Sequence, residues 1–166
     1  MAREHEHTFT VIHAGTIFGV ESLTERTQDE YAQALEPSHI GLLDLNILWQ
    51  LVRENPEVNA RVMGVLGGRL RSNRSRMIDI ALKEVPARLA SLILDFLQGE
   101  GVVTREGHYR IPYGYTHEQL ATMIGAKRVA VTRAFGKFQD MGCVQLQRRQ
   151  IYVTDLSALK RLATRR

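Results

Sequence analysis

Residues 115–142, "YTHEQLATMIGAKRVAVTRAFGKFQDMG", admit few foldings. Thr116 with Gln119 three positions later is a capping box, the signature of a helix start. Leu120, Ala121 and Ile124 form the buried side of that helix, and Gly125 supplies the left-handed residue that ends it. A second helix starts near Lys127. At 100° per residue, Val131, Ala134, Phe135, Phe138 and Met141 fall on its core side, with Arg128, Val129, Thr132, Arg133 and Gly136 opposite. Two short helices joined by a glycine turn, the second with a small, cationic outer face, predict a helix-turn-helix whose outer face enters a DNA major groove.

The downstream sequence agrees. In "CVQLQRRQIYVTD", Val144 and Leu146, then Ile151 and Val153, alternate around Arg148 and Arg149, which predicts a hairpin with cations near its tip, a wing that touches phosphate. Asp155 caps a closing helix, "LSALKRLA". Charge is partitioned accordingly. Residues 1–100 hold 10 Lys and Arg against 14 Asp and Glu, a balance of −4, whereas residues 101–166 hold 12 against 4, a balance of +8. A concentrated excess of this kind suits a polyanion, because each neutralised phosphate releases counterions.

Upstream, "ENP" with Pro56 at a first helical position opens a long helix from Glu57 to about Lys83. Val58, Val62, Val65, Leu66, Arg69, Leu70, Asn73, Met77 and Ile80 recur on it at spacings of three and four. Gly64 and Gly68 each cost that helix about 1 kcal/mol relative to alanine. A close crossing with a second copy would compensate, and so would tight packing on the chain's own N-terminal unit; the first is favoured. Another helix, "VPARLASLILDFLQ", stops at Gly99. Between residues 8 and 48, "TFTVI", "IFGV", "YAQAL" and "IGLLDL" read as short strands punctuated by Gly15, Gly19 and Pro37.

Several classes are set aside by the residues themselves. With 44% hydrophobic and 24% charged residues over 166 positions the composition is globular, sufficient for one or two small domains. No apolar run approaches the roughly 20 residues of a membrane span, and "MAREHEHTFT" lacks the apolar core of a signal peptide, so a cytoplasmic protein without membrane contact is expected. Cys143 is the only cysteine and reads as a small buried apolar residue. His5, His7 and His13 with Glu4 and Glu6 fit a polar N-terminus better than a metal site, so neither metal nor cofactor is predicted. Without a P-loop, a G-x-G-x-x-G or a G-x-S-x-G, catalysis is not expected.

From about residue 8 to 163 the chain resembles the cyclic-AMP receptor protein and fumarate-and-nitrate-reduction regulator superfamily of bacterial transcription factors. "GTIFGVESL" is similar to the end of its β-roll sensor, "ENPEVNARVMGVLGGRLRSNRSRM" to its dimer helix, and residues 115–142 to its DNA-binding signature. "RVAVTR" is closest to the nitrogen-regulator branch, and Val129 stands where the cyclic-AMP receptor branch has glutamate. The resemblance implies an α+β fold: a partial β-roll over residues 1–54, a dimerisation helix over 55–83 and a winged helix-turn-helix over 84–166. It implies a homodimer on a palindromic duplex, with RNA polymerase as a further candidate partner. Thr116, Lys127, Arg128, Val129, Thr132, Arg133, Lys137, Arg148 and Arg149 are the expected DNA-binding residues, and Val62, Leu66, Leu70, Asn73 and Met77 the dimer seam. The cyclic-nucleotide cassette is not matched: its glutamate and Arg-Ser or Arg-Thr positions are Val20 and Glu30-Tyr31 here. Two alternatives stand beside this reading, a sensor with another effector in its β-region and a protein-binding dimerisation module.

Overall fold

The computed structural model describes residues 8, 11–12, 15–19 and 31–164. Six helices run along the described chain: α1 Leu45–Glu54, α2 Pro56–Leu82, α3 Val85–Glu100, α4 His117–Ile124, α5 Arg128–Asp140 and α6 Leu156–Ala163. Four strands complete it: β1 Val102–Val103, β2 Tyr109–Ile111, β3 Val144–Gln147 and β4 Gln150–Val153. Two compact units divide the chain, one of residues 14–72 and the other of residues 1–13 with 73–166, so α2 contributes to both.

Two of the expected strands are corrected, while "TFTVI" and "IFGV" each include residues outside those described. No described residue before position 45 is in a strand, and "YAQAL" and the start of "IGLLDL" have no regular structure. The end of that second segment opens a helix. Asp44 accepts hydrogen bonds from the backbone N–H groups of Asn46 at 2.8 Å and Ile47 at 3.4 Å, and Leu45, Leu48 and Leu51 follow at helical rather than alternating spacing. Asn55 closes α1 and, through Oδ1, accepts from the N–H groups of Glu57 and Val58 to begin α2. The Arg69 guanidinium donates to the Ile17 carbonyl at 2.6 Å, and Val62 is buried.

The larger unit holds the main core. Leu89, Ile93 and Phe96 of α3 meet Leu120, Val131, Phe135 and Phe138 of the helix pair and Leu159 of α6, with Ile111, Val144, Ile151 and Val153 from the sheet. Burying each such side chain contributes roughly 1.5–3 kcal/mol. The four-stranded sheet is antiparallel in the order β1-β2-β4-β3, and its register sets Ile151 between Ile111 and Leu146. Lys83 fastens the end of α2 to α3, with Nζ 2.8 Å from the Asp79 carboxylate and 2.9 Å from Ser91 Oγ. Burial holds the Asp95 carboxyl above its ordinary range, a shift that the neighbouring Arg76 opposes.

Helix α3 runs through Gly99, where the sequence predicted its end, and stops at Gly101. A Cβ at position 101 would collide with the backbone of Leu97, so the stop requires glycine for space. Met141 is also corrected, since it caps α5 at the surface instead of joining the core. Cys143 is buried as expected, its thiol donating to the Phe138 carbonyl and held above the ordinary thiol range by burial. The cluster of His5, His7 and His13 lies outside the described residues, as do Val20 and Glu30. Among the described residues, no helix is long and apolar enough to cross a membrane.

Candidate nucleic-acid interface

Local chemistry sets the two helices that carry the site. Both halves of the Thr116–Gln119 capping box form: Thr116 Oγ1 accepts from the Gln119 N–H, and the Thr116 N–H donates to Gln119 Oε1 at 2.8 Å. The Thr116 hydroxyl also donates to Gln119 Oε1, so this predicted DNA ligand is committed to its own helix start. Gly125 ends α4 in the left-handed conformation at φ 60°. Arg88, reaching over from α3, donates to the carbonyls of Ile124 and Gly125 and so clamps the turn between the helices. No periodicity in the sequence marks Arg88 for this part, because the contact spans 36 positions.

Helix α5 then presents two faces. Val131, Ala134, Phe135 and Phe138 are buried, while Arg128, Val129, Thr132, Arg133 and Lys137 are exposed. Val129 is 60% exposed, an apolar side chain set between cations. Lys127, at the N-cap, makes no side-chain capping bond. Between α5 and the start of α3 runs an open groove of about 430 Å³ lined by Val85, Pro86, Lys127, Val129, Ala130, Arg133, Ala134 and Lys137. The structure thus gathers Lys127, Val129, Arg133 and Lys137 along one groove, with Arg128 and Thr132 on the same outward face.

The wing stands as a separate element. Strands β3 and β4 are joined through Arg148 and Arg149 at φ 49° and 66°. Left-handed backbone at both central positions suits the right-handed twist of a two-residue hairpin but favours Asn-Gly over a pair of arginines. Each arginine carries a conformational cost of about 1 kcal/mol. Gly114 leaves room for the turn, since a Cβ there would lie 3.2 Å from Arg149 Cβ. Arg149→Gly should therefore raise the unfolding midpoint, by at most about 1 kcal/mol in stability, and weaken binding to any duplex. Paired thermal melts and duplex titrations check this, and a melting temperature below that of the unmutated chain would contradict it.

His117 is a residue that the sequence reading passed over. It opens α4, its ring stacks on Phe135 at 5.1 Å between centroids and 19° between planes, and Nδ1 lies 2.8 Å from Thr132 Oγ1. Burial, and then the charge of Arg128, hold its pKa below the ordinary histidine value. The only hint in the sequence was its place at the first position of the capped helix. Among the described residues, none of Lys127, Arg128, Arg133, Lys137, Arg148 or Arg149 is in an ion pair with an acidic side chain. Such cations remain available to a polyanion.

Comparison with known proteins agrees with this geometry. Residues 87–162 match the model of the Crp-like helix-turn-helix domain. The chain is 27% identical over 162 residues to a CRP-like cAMP-activated global transcriptional regulator of Mycobacterium tuberculosis, an alignment covering 95% of this chain and 70% of that protein. It is also 27% identical over 162 residues to a global nitrogen regulator of Nostoc sp., covering 96% of this chain and 72% of the relative. Among solved structures it is similar to a CRP/FNR-family transcriptional regulator of Thermus thermophilus, with a TM-score of 0.58 and 25% identity over 66% of this chain and 55% of the other. A CooA mutant of Carboxydothermus hydrogenoformans shares the fold, with a TM-score of 0.67 and 24% identity over 73% of this chain and 56% of that one. The chain thus spans little more than half of the solved proteins it matches. With an α+β architecture and a helix-turn-helix closed by a wing, residues 87–162 carry a Crp-like helix-turn-helix domain, and the chain is similar to bacterial transcription regulators of both the CRP-like and the nitrogen-regulator lines.

Proposed function

We propose that this chain is a homodimeric, sequence-specific DNA-binding regulator of transcription that reads a palindromic site and does not depend on a cyclic nucleotide. The observation that carries the reading is the exposed face of α5, where Arg128, Val129 and Arg133 stand outward without acidic partners among the described residues. Arginine reads guanine edges or holds phosphates, and a thymine methyl is the apolar feature of the major groove that Val129 would meet. Lys127 and Lys137 flank this face and Arg148 and Arg149 extend it, as phosphate contacts. Thr116 and Thr132 act by holding the helices in place.

Selection of bound duplexes from a random pool tests the reading, because it reports specificity, half-site and spacing together. Two recognition helices related by a two-fold axis should select half-sites about 34 Å apart, one turn of duplex. Arg128→Ala or Arg133→Ala should cost about 1–3 kcal/mol and relax specificity at one position. Arg148→Ala should instead weaken all sequences alike and reduce the salt dependence by about one ion. If both α5 substitutions leave the affinity for the selected site intact, α5 is not the reading helix.

Cyclic-nucleotide independence rests on the sequence positions of the cassette. The cAMP-activated relative in Mycobacterium tuberculosis raises the question directly. A cyclic phosphate needs a cation to replace its lost water, and the resemblance aligns Glu30 with the family's arginine and Val20 with its ribose-binding acid. Calorimetry with cyclic AMP and cyclic GMP should show no binding heat, and neither nucleotide should change affinity for the selected duplex. Micromolar binding that tightens the DNA complex would overturn the alignment of the cassette.

A further inference from the structure

The contact between His117 and Thr132 joins the first helix of the pair to the outward face of the second, and its proton balance is unusually well defined. A threonine hydroxyl has one proton and two lone pairs. Thr132 Oγ1 lies 3.1 Å from the carbonyl oxygen of Arg128, which can only accept, and 2.8 Å from His117 Nδ1. Both contacts are satisfied together only if the hydroxyl donates to Arg128 and His117 donates from Nδ1. That assigns the Nδ1–H tautomer to the neutral ring and leaves Nε2 as an acceptor. Phe135 lies against the face of the ring and restrains its swing out of that plane.

Taken alone, the bond back to Arg128 would be a weak restraint. It is the ordinary return of a helical threonine to the carbonyl four residues earlier, and that carbonyl already receives a backbone N–H. A base-edge acceptor could draw the hydroxyl away from it. His117 adds a second bond on the hydroxyl's other side, so turning the Thr132 side chain about χ1 to carry its hydroxyl into the groove must break two interactions instead of one.

From this geometry we infer that His117 is a specificity-determining positioning residue, which holds Thr132 in the rotamer that bonds its hydroxyl to His117 and to the Arg128 carbonyl and so keeps that hydroxyl from turning into the groove. The inference rests on the DNA-reading function proposed above. Its chemical consequence is discrimination: a Thr132 hydroxyl held in that rotamer competes less well for guanine O6 or N7 or thymine O4 than one free to turn, while a thymine methyl beside it is tolerated. With Val129 one turn away, the outward face then favours methyl-bearing over acceptor-only positions.

The test uses the full chain with His117→Ala, His117→Asn, Thr132→Val and the double variant His117→Ala/Thr132→Val. Each is titrated against the selected duplex and against duplexes carrying every single base-pair change in one half-site. Freeing one hydroxyl should alter base preference at a single position per half-site by about three- to ten-fold in His117→Ala, toward an acceptor-bearing edge. His117→Asn, whose amide N–H can stand near the Nδ1 position, should restore the original preference. Thr132→Val and the double variant, having no hydroxyl to release, should both keep it. Nitrogen-15 spectra of the free protein should show the Nδ1–H tautomer of His117, a readout independent of any duplex. A uniform loss across all duplexes in His117→Ala, a changed preference in Thr132→Val, or an Nε2–H tautomer would each overturn the inference. Absence of any base preference in the unmutated chain would instead overturn the DNA-reading function itself.

Discussion

Leu70→Glu is expected to convert the protein from dimer to monomer and to lower its affinity for the selected palindrome by at least about a hundred-fold, the scale on which two linked binding sites exceed one. The reason lies on α2. Met63, Leu70 and Met77 recur every seven residues and are 57%, 72% and 71% exposed. Leu66, Asn73 and Ile80 fall three positions after each of them, which completes the two-position heptad of a coiled-coil seam. Asn73 at one inner position would fix register and strand number at some expense of stability. In a dimer paired through this stripe Leu70 would face its own copy across the two-fold axis, so the substitution would set two carboxylates together where water is excluded. Val62 serves as the control. It is only 4% exposed in the single chain, so it is already covered there. Val62→Glu should unfold the smaller unit, whereas Leu70→Glu should leave a folded monomer. Light scattering at micromolar concentration with duplex titrations decides the matter: a Leu70→Glu dimer of undiminished affinity removes α2 as the seam.

The same helix carries a second stripe of small residues. Gly64 and Gly68, four apart, lie at about 100° per residue well away from Leu70, so the two expected seam features fall on different faces of α2. Neither would bring an added Cβ within 4 Å of any described residue. Spacing alone identifies a small-residue stripe, but which stripe meets a partner depends on what the rest of the chain already covers. The helix-turn-helix was legible because its determinants are local: Thr116 and Gln119 cap α4, Gly125 turns left-handed, and four apolar residues define the inner side of α5. The hairpin was legible for the same reason, through alternation around Arg148 and Arg149. Strands β1 and β2, two and three residues long, are too short for alternation to register and exist through pairing with β4. Helix α1 was missed although Asp44 stood ready as its cap, because apolar residues on both sides of "IGLLDL" imitate a strand. Arg88 and His117 were out of reach for a different reason. Their partners lie 36 and 15 positions away, at distances set by the packing of whole helices.

Phe135→Ala should destabilise the larger unit by about 3–5 kcal/mol, the expected loss for removing a fully buried aromatic side chain. Phe135 is 1% exposed, meets Phe138 edge to face at 6.2 Å, and lies beneath the His117 ring. Phe138→Ala should cost nearly as much, because Phe138 is 0% exposed in the same cluster. Denaturant unfolding should therefore show comparable shifts for both, and a loss below about 1 kcal/mol at either position would mean that the core packs differently. The two positions separate when truncated more gently. Phe135→Leu removes the flat platform under His117, whereas Phe138→Leu thins the core without reaching that ring. At a temperature where both leucine variants are fully folded, Phe135→Leu should relax base preference at the position governed by Thr132, in the direction of His117→Ala and by a smaller factor. Phe138→Leu should keep the unmutated preference. Equal behaviour of the two would mean that the aromatic platform supports only the fold, and that the bond from His117 to Thr132 holds its geometry without it.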